Sequence, residues 1–407
     1  MNRIDSFERT TDAKVTGARG RMQYRKFGKD GRPVSVLGFG CMRLPTRDGR
    51  PQSPDIDEAE SIRLIRLAID RGVNYVDTAY LYHSGSSEIV LGKALEDSCR
   101  SRVFLATKSP VWSITKGEDF DAYLGEQLGR LRTDHIDGYL FHGLNRKRWK
   151  ETVLPLDLLK RAENAVRDGR IGMIGFSFHD AADVFVEIIQ GYDGWGFCQI
   201  QYNYMDVENQ AGTAGLKLAA AKGLGVVIME PLLGGRLANP PRLVREEFEG
   251  FATKRSPADW ALRWLWDQPE VSVVLSGMNR ESQVEENLRS AEESAPGSFG
   301  PAERDLIERV RAIFRGRAAI PCTKCGYCMP CPNGVDIPRN IELYNDGAMY
   351  EDLSIPRVIY ERILAEKERA AACLQCRTCE EKCPQNIAIS ESMPIIRAAL
   401  EGEKSER

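Results

Sequence analysis

Short apolar runs alternate with amphipathic stretches from Met22 to about Asn287. Eight apolar runs rich in β-branched residues have the length of strands and lie at 34–39, 73–77, 103–108, 136–142, 171–177, 197–202, 225–230 and 271–276. Between them, apolar residues recur at helical spacing over 58–69, 119–131, 155–168, 211–222 and 257–267. Strands that alternate with helices predict a parallel sheet, and eight of them favour a closed (β/α)8 barrel (TIM barrel) in an α/β protein. No G-x-G-x-x-G run follows the first strand, which argues against a Rossmann domain.

Eight of the eleven cysteines fall in two runs beyond the predicted barrel, each followed by proline. The run CTKCGYCMPCP contains Cys322, Cys325, Cys328 and Cys331, and the run CLQCRTCEEKCP contains Cys373, Cys376, Cys379 and Cys383. The second run has the C-x2-C-x2-C-x3-C-P spacing of bacterial two-cluster ferredoxins, while the first is one residue short before Cys331. The two runs predict two [4Fe-4S] clusters, with structural zinc as the alternative. A disulfide framework is typical of much smaller secreted domains.

The ferredoxin spacing also predicts a crossed ligation, because in that motif three cysteines of a run bind one cluster and the fourth binds the other. We therefore expect Cys383 to join the first three cysteines of the first run, and Cys331 to join the first three of the second. The shortened spacing makes Cys331 the weakest of the eight expected ligands. The remaining cysteines, Cys41, Cys99 and Cys198, lie in apolar or helical contexts and are expected to be buried.

The chain divides into three predicted parts. Residues 1–21 are polar and are expected to form a disordered tail, and residues 22–300 form the barrel. Residues 301–407 contain helical patterns at 302–317, 339–346 and 356–372 around the cysteine runs. This favours a small, mainly α-helical ferredoxin-like domain, joined to the barrel by a Gly- and Pro-containing linker at 294–301.

The charge pattern narrows the range of partners. The net charge is −3 with 28% charged residues, and no basic patch suited to nucleic acid or to a membrane surface is present. No apolar stretch approaches the length of a membrane span, and the first residues lack a signal-peptide layout. These features are those of a cytoplasmic enzyme with neither nucleic-acid nor membrane partners.

Candidate catalytic residues follow from the barrel rule that reactive groups project from the carboxyl ends of the strands. Asp77, Lys108 and His142 end three predicted strands, and Tyr82 lies in the loop after the first of these. The chain has only four histidines, so a histidine at a strand end is informative. An aspartate, a tyrosine, a lysine and a histidine are thus expected to converge on one rim.

The order of these residues resembles the aldo/keto reductase family. The matching stretches are FGKDGRPVSVLGFGCMRLP, NYVDTAYLYH, VFLATK, HIDGYLFH, RIGMIGFSFH, QIQYNY and LSGMNRESQVEENL, across about residues 22–290. The resemblance implies that Tyr82 is the general acid/base that protonates a carbonyl oxygen as hydride arrives. It also implies that Lys108 lowers the tyrosine pKa, that Asp77 holds Lys108, and that His142 orients the substrate oxygen.

The same resemblance implies a nicotinamide cofactor. Ser177 and Gln199 match positions that hold the carboxamide, and Met229 stands where many relatives place an aromatic residue, which would weaken stacking. Gly234, Gly235 and Arg236 match the loop that wraps the pyrophosphate. Residues that match the adenosine end are Ser276, Gly277, Met278, Asn279, Arg280, Gln283, Glu286 and Asn287. The choice between NAD and NADP stays open, with Arg280 as the cation suited to a 2′-phosphate.

Hydride transfer moves two electrons, whereas each cluster exchanges one. A bound flavin could mediate between them, but the sequence has no dedicated flavin signature. Three hypotheses follow. The barrel interconverts a small-molecule carbonyl and an alcohol with NAD(P) while the clusters serve a ferredoxin or flavoprotein partner. Alternatively, the clusters feed single electrons to a substrate near Tyr82, or they make the protein a redox-sensing module. The first is favoured because the four catalytic positions are intact.

Overall fold

The structure is a computed structural model that describes residues 21–402. Its strands are β1 (Tyr24–Phe27), β2 (Arg32–Ser35), β3 (Leu37–Gly40), β4 (Tyr75–Asp77), β5 (Phe104–Ser109), β6 (Ile136–Leu144), β7 (Ile171–Phe178), β8 (Phe197–Gln201), β9 (Gly225–Met229) and β10 (Val273–Ser276). Its helices are α1 (Glu58–Asp70), α2 (Ser86–Ala94), α3 (Gly117–Arg130), α4 (Arg146–Arg148), α5 (Leu158–Arg167), α6 (Ala182–Gln190), α7 (Gly212–Ala221), α8 (Arg242–Gly250), α9 (Pro257–Trp266), α10 (Glu281–Glu292), α11 (Pro301–Gly316), α12 (Ile337–Tyr350), α13 (Ser354–Arg362) and α14 (Ile389–Glu401).

Strands β3 to β10 close into a parallel barrel in sequence order, which confirms the predicted (β/α)8 fold. One predicted strand was wrong in its extent, because the run at 34–39 is divided at Val36. Strand β2 pairs with β1 in an antiparallel hairpin, whereas β3 pairs with β4 and β10 in the barrel. A continuous apolar run therefore serves two separate sheets.

The hairpin closes the amino-terminal end of the barrel. Phe27 has no exposed surface, and its ring lies 5.2 Å from that of Phe104 and 5.4 Å from that of Phe197. Gly225 makes room for it, since a Cβ there would lie 2.5 Å from the Phe27 ring. The interior at this end is a packed aromatic and aliphatic cluster, so only the opposite rim is open to form a site.

Helix α11 packs on the outside of the barrel although it lies beyond the predicted linker. Its buried residues Leu306, Val310 and Phe314 share a core with Phe248 and Trp260 of helices α8 and α9. The linker segment itself is anchored by Phe299, whose ring lies 5.7 Å from that of Trp260. We propose that the two domains divide near residue 300, with α11 packed against the barrel.

Helices α12, α13 and α14 enclose a second, smaller core that adjoins the cysteine runs. Ile341, Tyr360, Met393 and Ile396 are among its buried members. The helix expected at 356–372 was wrong in its extent, because α13 ends at Arg362 and only 3-10 turns follow. Arg369 donates to the carbonyls of Glu361 (2.6 Å) and Leu364 (3.1 Å), and it thereby satisfies groups that a continuing helix would use.

Cys41, Cys99 and Cys198 are buried, as predicted. The predicted amino-terminal tail lies almost entirely outside the described residues. Within residues 21–402, none of the helices combines the length and apolar character that a bilayer crossing requires.

Candidate functional site

Three of the four predicted catalytic side chains form one hydrogen-bonded group at the open rim. Lys108, from the end of β5, has 1% of its surface exposed. Its Nζ donates to Asp77 Oδ1 (2.6 Å), to the carbonyl of Thr78 (2.7 Å) and to the Tyr82 hydroxyl oxygen (3.3 Å). Because the ammonium donates to that oxygen, the Tyr82 hydroxyl can donate its own hydrogen to another acceptor.

The segment after β4 holds Tyr82 in place through the next residue. His83 is buried in a left-handed conformation (φ 52°), and one ring nitrogen lies 2.7 Å from the Ser53 carbonyl oxygen. The other ring nitrogen accepts from the backbone N–H of Leu44 (3.2 Å). His83 therefore ties the turn that carries Tyr82 to the loop after β3.

The electrostatics of the group differ in part from the expectation. Burial alone would lower the pKa of Lys108, but Asp77 and Tyr82 raise it, so its ammonium stays charged. For Tyr82 the loss of solvent is the largest effect and raises its pKa above 10, with Lys108 opposing part of the rise. Lys108 thus lowers the tyrosine pKa as expected, but desolvation has the larger effect, so the net pKa is raised.

His142 joins the group from the end of β6. Its ring centroid lies 6.1 Å from that of Tyr82, and its Nδ1 is buried without a hydrogen-bond partner among the described residues. Burial, and then Lys108, His179 and Arg148, hold the pKa of His142 well below its usual value. The imidazole is therefore neutral at pH 7 and has an unsatisfied nitrogen at the mouth.

Two further residues complete this pocket and were not assigned from the sequence. Trp112 places its ring 4.8 Å from that of His142, and the guanidinium of Arg148 lies 5.4 Å from the Trp112 ring centroid. The position of Arg148 four residues after the end of β6 was the one available signal.

Residues predicted to contact nicotinamide lie on neighbouring strands. Ser177 lies next to the last residue of β7 and is paired in register with Gln199 in the middle of β8. The Ser177 hydroxyl accepts from the N–H of Gly143 (2.7 Å), while Gln199 Oε1 is buried and unpartnered among the described residues. An unsatisfied acceptor of this kind fits the N–H donors of a carboxamide. Met229 ends β9 beside them and is partly buried.

The predicted pyrophosphate loop lies against the cysteine-containing region. Gly234 has φ 70°, and a Cβ there would lie 2.8 Å from Ile355 of α13. Arg236 stacks 4.4 Å from the ring centroid of Tyr350 and lies 3.9 Å from Asp346, both in α12. This loop, which also includes Gly235, therefore lies at the open end of the barrel and contacts helices α12 and α13.

The predicted adenosine residues cluster around the loop after β10. Ser276 accepts from Asn287 (2.9 Å), Gln283 accepts from the N–H of Asn279 (2.9 Å), and Glu286 bonds Ser256. Gly277 is exposed and Met278 is buried.

A surface cavity beside them is lined by Arg43 and Arg280 together with Leu44, Pro45, Thr46, Gly49, Pro51 and Asn279. Arg280 is therefore not the only cation available there, because Arg43 comes from the loop after β3.

The cysteines form two groups that mix the two runs. Cys331 lines one cavity together with Cys373, Cys376 and Cys379. In the other group, burial and the neighbouring Cys322, Cys325 and Cys383 raise the pKa of the Cys328 thiol. The crossed neighbourhoods are those expected from the ferredoxin spacing.

The two cysteine groups are open to solvent on one side. Cys325 and Cys376 are exposed, and the other six are partly buried against the second core. Within residues 21–402, no three Cys, His, Asp or Glu side chains converge closely enough to hold one metal ion. In a cubane, each thiolate binds a different iron atom, so its four ligands surround a volume rather than a point.

Comparisons with known proteins agree with this geometry. Residues 36–296 match the model of the aldo/keto reductase family, and residues 321–388 match that of a 4Fe-4S dicluster domain. Probable aldo-keto reductase 1 of Glycine max is 26% identical over 74% of this chain and 91% of its own length. The uncharacterized oxidoreductase YrpG of Bacillus subtilis is 25% identical over 72% of this chain and 97% of its own length.

Solved structures show the same likeness. The holo form of aldo-keto reductase AKR11C1 from Bacillus halodurans has a TM-score of 0.58 and 26% identity, and the match covers 71% of this chain and 96% of that one. The thermostable aldo-keto reductase Tm1743, in complex with the inhibitor epalrestat, has a TM-score of 0.60 and 27% identity and is covered entirely, by 71% of this chain. This chain belongs to the aldo/keto reductase family of oxidoreductases, and a 4Fe-4S dicluster domain follows its barrel.

Proposed function

We propose that this protein interconverts a carbonyl compound and its alcohol with NAD(P) at the barrel rim and exchanges single electrons through two [4Fe-4S] clusters. The observation that carries the proposal is the buried Lys108–Asp77 ion pair in hydrogen-bond contact with Tyr82. A buried lysine whose charge is fixed beside a tyrosine is suited to stabilising a phenolate.

Tyr82 donates its proton to the carbonyl oxygen, and Lys108 stabilises the negative charge left on the phenol oxygen. Asp77 keeps the lysine charged and fixed in position, so little reorganisation accompanies the proton transfer. Neutral His142 uses its unpartnered nitrogen to orient the substrate oxygen. A bound nicotinamide would supply the hydride, held by Ser177, Gln199 and Met229 at its ring and by Gly234, Gly235 and Arg236 at its pyrophosphate.

In this proposal, the residues around the adenosine end of the cofactor favour NADP over NAD. Arg43 and Arg280 line one cavity, and two guanidinium groups suit the doubly charged 2′-phosphate. Residues 276–279 with Gln283, Glu286 and Asn287 would form the remainder of this subsite.

The eight clustered cysteines would hold the two clusters in the crossed arrangement: Cys322, Cys325, Cys328 and Cys383 for one, and Cys331, Cys373, Cys376 and Cys379 for the other. The clusters would supply one-electron chemistry, for which a ferredoxin or flavoprotein is the expected partner. The fit rests on the cavity that three cysteines of one run share with a fourth from the other.

Protein purified under anaerobic conditions tests both halves. Iron and sulfide content report on the clusters, and oxidation of NADPH or NADH with a panel of aldehydes reports on the barrel. Bleaching of the broad cluster absorbance by NAD(P)H alone would favour a nicotinamide-to-cluster path. Binding of NAD(P)H without bleaching would indicate that carbonyl reduction is independent of electron transfer through the clusters. If neither nucleotide binds, the nicotinamide proposal is contradicted.

The variant Tyr82→Phe should lower the rate of carbonyl reduction by about 10²–10⁴-fold, because it removes the proton donor. Iron content should stay unchanged. Tyr80→Phe is the matched control, since Tyr80 lies in the same segment and donates instead to Glu126 (2.9 Å). Full activity in Tyr82→Phe would overturn the catalytic assignment.

A further inference from the structure

Arg148 is half-buried at the rim, where two residues just before it in the chain hold it by hydrogen bonds. Asn145 accepts from the N–H of Arg148 (2.8 Å) and begins the short helix α4. The Arg148 guanidinium donates to the carbonyl of Gly143. Gly143 has φ 59°, and a Cβ there would lie 2.9 Å from Arg148 Nη1. The chain thus leaves space for this guanidinium directly after the catalytic strand β6.

The charge of Arg148 has no carboxylate partner among residues 21–402. The neighbouring Arg146 differs, because it pairs with Asp183 (2.5 Å) and Glu187 (2.8 Å) on the outer surface. Loss of solvent lowers the pKa of Arg148, and no acidic group offsets this effect. An arginine has five N–H donors, and within the described residues the Arg148 guanidinium uses one of them.

The position of Arg148 relates it to the reacting groups. Its guanidinium stacks on Trp112, Trp112 packs on His142, and His142 faces Tyr82. Partial loss of solvent, and then Arg148 and Lys108, lower the pKa of His179, which lies just after the neighbouring β7. Lys108 and Arg148 are both close enough to His142 to lower its pKa. Lys108 is paired with Asp77, whereas Arg148 has no carboxylate partner among the described residues and is left for a ligand.

We infer that Arg148 binds an anionic group of the substrate, and that the preferred substrates are aldehydes or ketones carrying a carboxylate away from the carbonyl. The inference rests on the proposed function. In the reaction, the carbonyl carbon gains a hydride from NAD(P)H, the oxygen gains the Tyr82 proton, and the products are the hydroxy acid and NAD(P)+. The carboxylate is unchanged and serves only to position the substrate, for which the planar arginine fork is suited.

The test compares 4-carboxybenzaldehyde with 4-nitrobenzaldehyde, which has nearly the same shape without the charge. For each protein the ratio of kcat/KM for the two aldehydes is measured, so differences in intrinsic reactivity cancel between variants. Arg148→Met should lower the preference for the charged aldehyde about 10- to 100-fold, as expected for loss of a hydrogen bond to a charged group. Most of the change should be in KM.

Two variants make the result specific to charge at this position. Arg148→Lys should restore part of the preference, because it keeps the charge and loses the fork. Lys147→Met removes an equal charge from an exposed neighbouring residue and should leave both the ratio and the activity unchanged. If Arg148→Met slows both aldehydes equally, or leaves the ratio intact, Arg148 has only a structural role and the inference fails.

A binding measurement separates this inference from the proposed function. Calorimetric titration with 4-(hydroxymethyl)benzoate and with 4-nitrobenzyl alcohol needs no turnover. If neither aldehyde is reduced but the benzoate binds more tightly to the wild type than to Arg148→Met, the reductase proposal fails and the anion site stands. If the carboxylate gives no advantage in binding, the anion site is refuted whatever the activity.

A phosphate ester of similar length, 4-formylphenyl phosphate, distinguishes the two common anions. A larger Arg148-dependent preference for the phosphate than for the carboxylate would overturn the assignment to carboxylates.

Discussion

The barrel rim and the cysteine-containing region hold their functional groups in opposite ways. At the rim, Lys108 and Asp77 are almost fully buried and hydrogen-bonded to each other. In the cysteine region, Cys325 and Cys376 are exposed, and the other six cysteines only border a small core. The first site is organised by the packing of eight strands, whereas the second is organised around the group that it is expected to bind.

This difference indicates where the stability of each region comes from. A core as small as that of helices α12 to α14 is of the kind that metal ligation commonly supplements. The barrel has a large continuous core and does not need this contribution. Loss of metal should therefore affect one region and leave the other folded.

The largest expected effect is on the cysteine region. Cys379→Ala should lower the iron content from about eight atoms per chain to about four or fewer, because each cubane holds four. It should also make the segment after α11 sensitive to protease, while the barrel keeps its unfolding temperature. Cys198→Ala, a buried barrel variant, should keep its iron and lose only about 1 kcal/mol of stability. Unchanged iron in Cys379→Ala would contradict the ligand assignment.

The next effect is on the barrel. Lys108→Met leaves the Asp77 carboxylate buried without its partner and should lower the free energy of unfolding by about 3–5 kcal/mol. The double variant with Asp77→Asn should recover most of this loss, because no isolated charge is left. Chemical denaturation followed by tryptophan fluorescence measures both, with iron content as the control. A double variant no more stable than Lys108→Met would show that the ion pair is not the cause.

The smallest effect concerns the contact between Arg236 of the barrel and Asp346 of α12. Burial raises the pKa of Asp346 to about 6, with Arg236 offsetting part of the rise. The folded protein therefore binds a proton more readily than the unfolded chain, whose aspartate pKa is near 3.9. Stability from this group is present at low pH and is lost as the pH rises through about 6.

Because Asp346 is partly exposed, the wild type should gain about 1 kcal/mol between pH 7 and pH 5. The variant Asp346→Asn should lack this component. The difference between their unfolding free energies at the two pH values is the measurement. A constant difference would mean that Asp346 does not titrate abnormally.

Much of the barrel could be predicted because its signals are local. A strand end is visible in the sequence, and topology brings Asp77, Lys108 and His142 to one rim once a barrel is assumed. The cysteine spacing was equally local. The crossed pairing of Cys331 with the second run followed from the ferredoxin motif and not from any pattern between the runs.

The remainder depends on contacts between distant segments. Arg236 was assigned to the cofactor from its loop, but its stacking on Tyr350 depends on how α12 packs against the barrel. The net pKa of Tyr82 could not be predicted, because the sequence shows the neighbouring lysine, which lowers it, and does not show the loss of solvent, which raises it more. Arg148 was missed because a single arginine in a loop looks the same in the sequence whether it pairs with a carboxylate or stacks on a tryptophan without one.

The closed end of the barrel determines where ligands can enter it. Phe27 and the aromatic rings around it leave no passage along the axis of the barrel, so any ligand must enter and leave at the opposite end. At that end, Gly234 and Arg236 of the loop after β9 lie against Ile355 of α13 and Tyr350 of α12. If the cysteine region folds only when its clusters are bound, the metal-free protein would lack these contacts, and the entrance to its barrel would differ.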